Sequence, residues 1–245
     1  MDVVPHDGDV GRLLAVFAHP DDEAYLAGGL MAVAADAGRR VACVTATRGE
    51  LGFPDDDPRP LDERAALREA EMADCMRVLG VTDHRWMGLP DGGCAAIDPA
   101  GPVAGLVEVL AEVRPDTVVT FGPDGQTYHS DHIAVSGWTT RAVRSSGIDC
   151  RLLYATMTPE WADDFTSVVP LEQIMMTDDP MPTVPLEQLD LWFWCDDELA
   201  ERKVRALRAQ ASQVEPIVEA FGVEAYLRLT RDEFFRAPGA DDWPG

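Results

Sequence analysis

Leu13-Leu14-Ala15-Val16-Phe17-Ala18-His19-Pro20-Asp21-Asp22-Glu23 is the stretch that decides the fold. Its first six residues are apolar without a polar alternation, as a strand covered on both faces requires, and the run stops at His19-Pro20. Residues 23–36 are alanine-rich with apolar positions near the helical repeat, and Gly38 supplies a C-terminal stop. A buried strand that leads directly into a helix is the first half of a βαβ unit, whose strands pair in parallel.

The unit then repeats. Residues 41–47 predict a second strand, 62–79 an amphipathic helix stopped by Gly80, and 84–89 a shorter third strand. Residues 103–113 predict a helix, 117–121 a β-branched strand after Pro115, 130–144 a helix and 152–157 a further strand. This alternation predicts an α/β fold, a Rossmann-like three-layer α/β/α sandwich with a mostly parallel sheet. Beyond Thr158, the prolines at 159, 170, 180, 182 and 185 predict a long irregular connection. An edge strand over 189–195 and one charged amphipathic helix over 197–214 follow it. No internal repeat or separating linker interrupts the pattern. Residues 1–245 therefore read as one domain, with a motif-bearing core at about 11–157 and a C-terminal extension of the same domain at 158–245.

Composition narrows the function. Hydrophobic residues make up 46% of the chain and charged residues 26%, the balance of a folded soluble domain. Twenty Lys and Arg against 44 Asp and Glu leave a net charge of −24, a field that repels phosphate backbones and anionic lipid, so neither nucleic acid nor a membrane surface is an expected partner. The acidic start of the chain lacks the basic and apolar segments of a signal peptide, and no apolar run approaches about 20 residues. A cytoplasmic protein is expected. The five cysteines form no C-x-x-C pair and read as reduced core residues.

In an open parallel sheet, ligands bind outside the carboxyl ends of the strands. His19, Asp21, Asp22 and Glu23 follow the first strand here; Arg48 and Glu50 follow the second, and Asp91 the third. Asp124, His129, Asp131 and His132 follow the strand at 117–121. His19 and Asp22 stand three residues apart across a strand-to-helix turn, and so share a face while Asp21 points elsewhere; His129 and His132 repeat that spacing. Two imidazoles and a carboxylate with an open fourth position suit a catalytic zinc, and His19, Asp22 and His132 supply them. Each cluster alone also reads as a helix cap or a solvated loop; it is their convergence on one edge that favours a site. His6 and His84 read as incidental, and Trp192 and Trp194 as packing residues.

Ala18-His19-Pro20-Asp21-Asp22-Glu23 followed by Gly28-Gly29 resembles the signature of the PIG-L/LmbE-like zinc N-deacetylases, the N-acetylglucosaminyl deacetylase type, and His129-Ser130-Asp131-His132 resembles that family's second motif. Thr47-Arg48-Gly49-Glu50 and the segment Arg68-Glu69-Ala70-Glu71 leading to Leu79-Gly80-Val81 are similar to family segments in order and spacing. The likeness covers residues 13 to about 145. It departs near Ala211-Ser212-Gln213, where Gln210 stands at a position that is often histidine in the family.

What the resemblance implies is a metal-dependent hydrolase that deacetylates an N-acetylated amino sugar or related small molecule. Zn2+, with Fe2+ as the other divalent candidate, would be bound by His19, Asp22 and His132. Asp21 would be the base, and His129 would stand beside the substrate carbonyl, protonated and oriented by Asp131. Arg48, Glu50, Arg68 and Asp91 are candidates for substrate hydroxyls, since Arg and carboxylates bond them directionally. Two other readings remain open: an amidase cleaving a thiol-sugar conjugate, and a non-catalytic Rossmann-like binding module. The second is disfavoured by acidic residues where G-x-G-x-x-G would cradle phosphate. The expected partner is a small N-acylated molecule, with a homo-oligomer also possible on sequence grounds.

Overall fold

A computed structural model describes residues 10–170 and 174–242. His6 lies outside the described residues. Seven strands form one sheet: β1 (Leu13–Phe17), β2 (Val41–Thr47), β3 (Asp83–Leu89), β4 (Thr117–Phe121), β5 (Arg151–Thr156), β6 (Leu191–Trp194) and β7 (Asp232–Arg236). Their order is β3-β2-β1-β4-β5-β7-β6. The first five pair in parallel, whereas β7 runs antiparallel to both β5 and β6. Every residue of β1, β2 and β4 is buried, which is why these strands hold only apolar residues and threonine, with no charged alternation.

The helices that connect and cover the sheet are α1 (Asp22–Asp36), α2 (Leu61–Leu79), α3 (Ala100–Val113), α4 (Ser130–Ser146), α5 (Pro159–Thr166), α6 (Asp197–Ala209), α7 (Ala211–Phe221) and α8 (Val223–Thr230). The fold is thus the mostly parallel α/β architecture that the alternation predicts. Strand order reverses between β1 and β4, and at such a switch point the connections leave a crevice at the carboxyl ends of the strands. His19 and Asp22 follow β1, and His129 and His132 follow β4, so the crevice receives both motifs.

The C-terminal third departs from its sequence reading. The irregular connection contains α5, begun by the Thr158 hydroxyl accepting the Trp161 amide N–H. The single helix over 197–214 is two helices, broken at Gln210, which has non-helical backbone angles of φ −91° and ψ 53°. The predicted edge strand is β6, paired with a strand, β7, that the sequence reading lacks. The third strand is also longer than expected, seven residues from Asp83.

A buried ion pair ties this third to the rest. Lys203 and Glu233 are fully buried, and Lys203 Nζ lies 2.6 Å from Glu233 Oε1. Lys203 also donates to the Tyr25 carbonyl, while Glu233 accepts from the backbone N–H groups of Gly29 and Leu30. A side chain at Gly29 would collide with Cys195 Sγ and stand 2.9 Å from Phe193 Cε1, so only glycine lets α1 approach β6 and β7 this closely. Among the described residues, no helix is long and apolar enough to cross a membrane. The cysteines are all free thiols.

Candidate metal centre

Three donor atoms converge at the switch point. His19 Nδ1 lies 3.0 Å from His132 Nε2 and 3.6 Å from Asp22 Oδ2, and His132 Nε2 lies 3.5 Å from Asp22 Oδ1. Ligands about 2.1 Å from a tetrahedral ion stand about 3.4 Å from one another, so this triangle has the size that one zinc-like ion requires.

The opposite ring nitrogens are occupied. His132 Nδ1 donates to the Gly125 carbonyl at 3.0 Å, and His19 Nε2 faces Asp91 Oδ1 at 3.1 Å and Asp131 Oδ2 at 3.4 Å. Carbonyl and carboxylate oxygens only accept, so the ring protons sit on those outer nitrogens and lone pairs face inward. The two inner nitrogens, His19 Nδ1 and His132 Nε2, stand 3.0 Å apart, close enough for one cation to bind both. The arrangement matches the outer hydrogen bonds that fix metal-binding histidines in one tautomer. Burial works against a charge on His19, yet hydrogen bonds to Asp131, Asp22 and Asp91 outweigh it and hold the pKa well above the usual value. Burial pushes His132 down to about 4, keeping it a neutral ligand, and its ring stacks on Phe121 at 4.1 Å.

Two other triads come within reach of one ion: His19 with His129 and His132, and His19 with Asp91 and Asp131. The second is committed elsewhere. Asp131 is fully buried, accepting from the N–H groups of Gly92 and Cys94, and Asp91 accepts from the Leu51 N–H at 2.7 Å. His129 Nδ1 accepts from the Asp131 N–H at 3.2 Å, which leaves its proton on Nε2. Burial and the nearby His19 lower its pKa. The expectation that the Asp131 carboxylate orients His129 is therefore corrected: the carboxylate serves His19, and a backbone N–H orients His129.

Asp21 and Asp22 are neighbours with opposite tendencies. Burial would raise both, but His132 and His19 pull Asp22 down to the ionised state of a ligand. For Asp21, burial together with the Asp22 charge outweighs the pull of Arg68 and His19 and raises it. Its backbone is strained at φ 104°, a conformation held from both sides of the turn. Glu23, fully buried, accepts from the Asp21 N–H at 3.1 Å, and Arg68 donates to the Pro20 carbonyl and lies 3.4 Å from Asp21 Oδ2. Asp21 does not point away from the site, since it lines the same cavity as Asp22 and His132.

The four candidate substrate contacts separate. Arg68 and Asp91 are built into the support of Asp21 and His19. Arg48 pairs with Glu69 at the surface, its side chain 45% exposed, and does not line the cavity. Glu50 accepts from the Asp91 N–H at 3.3 Å, and its Oε2 is buried without a partner among the described residues. His84 bonds Thr45 Oγ1 on β3 and Trp192 bonds Asp232, so neither joins the centre.

Sequence reasoning missed Gly125. Its φ of +64° and a space in which a side chain would stand 2.9 Å from His132 Cβ make glycine the residue whose carbonyl can reach His132. It also gave no role to Gln210, whose amide donates to Glu23 at 2.9 Å, joining the α6–α7 break to the first motif. The cavity beside the donors, about 390 Å³, was missed as well; residues from Met157 to Asp232 supply most of its wall.

Residues 14–143 match the PIG-L family, described as GlcNAc-PI de-N-acetylase. A relative from Acidothermus cellulolyticus, named 1D-myo-inositol 2-acetamido-2-deoxy-alpha-D-glucopyranoside deacetylase, is 34% identical over 90% of this chain and 89% of its own. A relative of the same name from Kineococcus radiotolerans is 40% identical over 54% of this chain, but the matched stretch spans only 44% of that protein. The solved N,N'-diacetylchitobiose deacetylase from Pyrococcus horikoshii shares the fold with a TM-score of 0.69 and 21% identity, over 94% of this chain and 84% of that one. Both sequence relatives are named as deacetylases, which does not favour the amidase alternative.

Proposed function

The chain belongs to the PIG-L family, and on that premise we propose that it hydrolyses the N-acyl amide of a small amino-sugar substrate, with zinc held by His19, Asp22 and His132. The observation that carries this reading is the triangle of inward-facing donors, 3.0 to 3.6 Å apart, with each imidazole fixed from behind. Bound there, a divalent ion supplies Lewis acidity toward water and the amide carbonyl.

Amide hydrolysis also needs a base for the attacking water, a donor for the carbonyl oxygen, and a proton for the departing amine. Asp21 fits the first and last tasks: its raised pKa brings a carboxyl toward neutrality, where one group takes a proton and returns it efficiently. Arg68 and Glu23 hold its geometry. His129, with its proton on Nε2, fits the donor to the carbonyl oxygen as a neutral imidazole. Asp91 and Asp131 act through His19 as positioning residues. Glu50 Oε2 is the remaining candidate for a sugar hydroxyl.

The test is amine release from a panel of N-acetylglucosaminyl compounds, with metal content measured on the same samples. Turnover by wild type, and a metal-loaded but inactive Asp21→Asn protein, are expected. An Asp21→Asn variant with full activity overturns the assignment of the base.

A further inference from the structure

We infer that the amide processed at this site carries a sizeable apolar arm, lodged in the cavity between the metal donors and α5, α7 and α8. The inference deepens the proposed hydrolase reading and rests on it. An acetyl methyl needs only a fraction of the cavity's 390 Å³, a volume in the range that accommodates a drug-sized ligand. Asp21, Asp22 and His132 line that same space, so a group that fills it stands beside the reacting amide.

The wall opposite the donors suits hydrocarbon rather than sugar hydroxyls, which need directional partners. It is formed by Trp161, Phe165, Ile217, Phe221, Leu229 and further apolar side chains. Trp161 and Phe165 stack nearly parallel at 4.8 Å, and the indole N–H is taken by the Leu229 carbonyl, which leaves only ring surface to offer. Four polar side chains there are engaged by other groups of the protein. Tyr226 donates to Tyr25 at 2.6 Å, Thr230 to the Tyr226 carbonyl, Gln213 to Ser212, and Asp232 accepts from Trp192. Gln126 Oε1 is buried without a partner among the described residues, in the loop whose Gly125 holds His132.

The arm is attached either at the acyl carbon or on the amine carrier, and one experiment separates the two. The metal-loaded full chain is assayed with methyl 2-acetamido-2-deoxyglucoside, its N-octanoyl analogue, and the octyl glycoside of the N-acetyl sugar. Each methylene taken from water is worth about fourfold, so partial burial of an octyl chain predicts a kcat/KM about 100-fold above the methyl parent, carried by KM. The expected result is that gain for one of the two octyl compounds, and which one identifies the side. Ile217→Trp, which fills part of the cavity, should reduce the gain to under about tenfold.

Calorimetric binding of octyl and methyl 2-amino-2-deoxyglucosides and of octanoate and acetate gives a readout that needs neither turnover nor the variant. Octyl compounds that are neither turned over faster nor bound tighter than their short counterparts overturn the inference while leaving the hydrolase reading intact. Tighter octyl binding with no hydrolysis of any substrate does the reverse.

Discussion

The polar side of the site is assembled from the segments that follow β1, β3 and β4, with Asp22 and His132 in the first turns of α1 and α4 and the two imidazoles fixed by short hydrogen bonds. The apolar side is assembled from α5, α7 and α8, whose residues reach the donors only because Lys203–Glu233, Gln210–Glu23 and Ser212–Glu71 fasten the C-terminal third to α1 and α2. The difference teaches where chemistry and selectivity are encoded. The reacting groups are local motifs whose spacing is dictated by strand-to-helix turns, and the volume around them is a product of long-range packing. Substitutions on the two sides should therefore fail in different ways.

The largest expected effect is on the polar side. Asp21→Asn should lower kcat by roughly 10² to 10⁴ with metal retained, as loss of a general base does, checked by amine release and metal analysis. Next is the fastening between the sides. Lys203→Met leaves Glu233 buried without its counter-charge and should cost about 3–5 kcal/mol of stability, read by urea denaturation; a midpoint unchanged from wild type would break the claim that the pair holds the C-terminal third. Gly125→Ala forces a side chain against His132 at positive φ and should weaken metal affinity about 10- to 100-fold, measured by competition with a chelator.

Acid tests a group outside both sides. Burial holds His84 down at about 4, so the folded state binds its proton less readily than the unfolded chain. Its contribution is fully present above the unfolded value and is lost as pH falls from about 6.5 toward 4, amounting to at most about 3 kcal/mol. His84→Gln should flatten that part of the stability profile; an equally steep fall would assign it to other groups. Smallest of all, Arg48→Ala should change kcat/KM less than about threefold, since an exposed pair with Glu69 is worth about 1 kcal/mol or less.

The legibility of the molecule follows the same division. Strands β1, β2 and β4 were readable because burial on both faces leaves runs without a charged residue, and His19, Asp22 and His132 because their motifs follow strands and repeat a three-residue spacing. The partner of β6 was not readable: β7 is flanked by Asp232 and Arg236, and its antiparallel register is set by neighbours distant in sequence. Trp161, Phe165 and Ile217 look in sequence like any core residues, so nothing marks them as the wall of a cavity. Asp91 was seen as a substrate contact because its spacing to His19, 72 residues away in the chain, carries no signal until the sheet folds. The break at Gln210 was hidden for a related reason, since the helical periodicity runs through it and only the buried bond to Glu23 distinguishes it.

The central claim is that one divalent ion is shared by segments more than a hundred residues apart. Metal analysis of the purified full chain, repeated on His19→Ala and on His132→Ala, tests it most directly. The account predicts about one ion per chain in the wild type and its loss in each variant. Retention of the ion in either variant, with the protein folded, would contradict it.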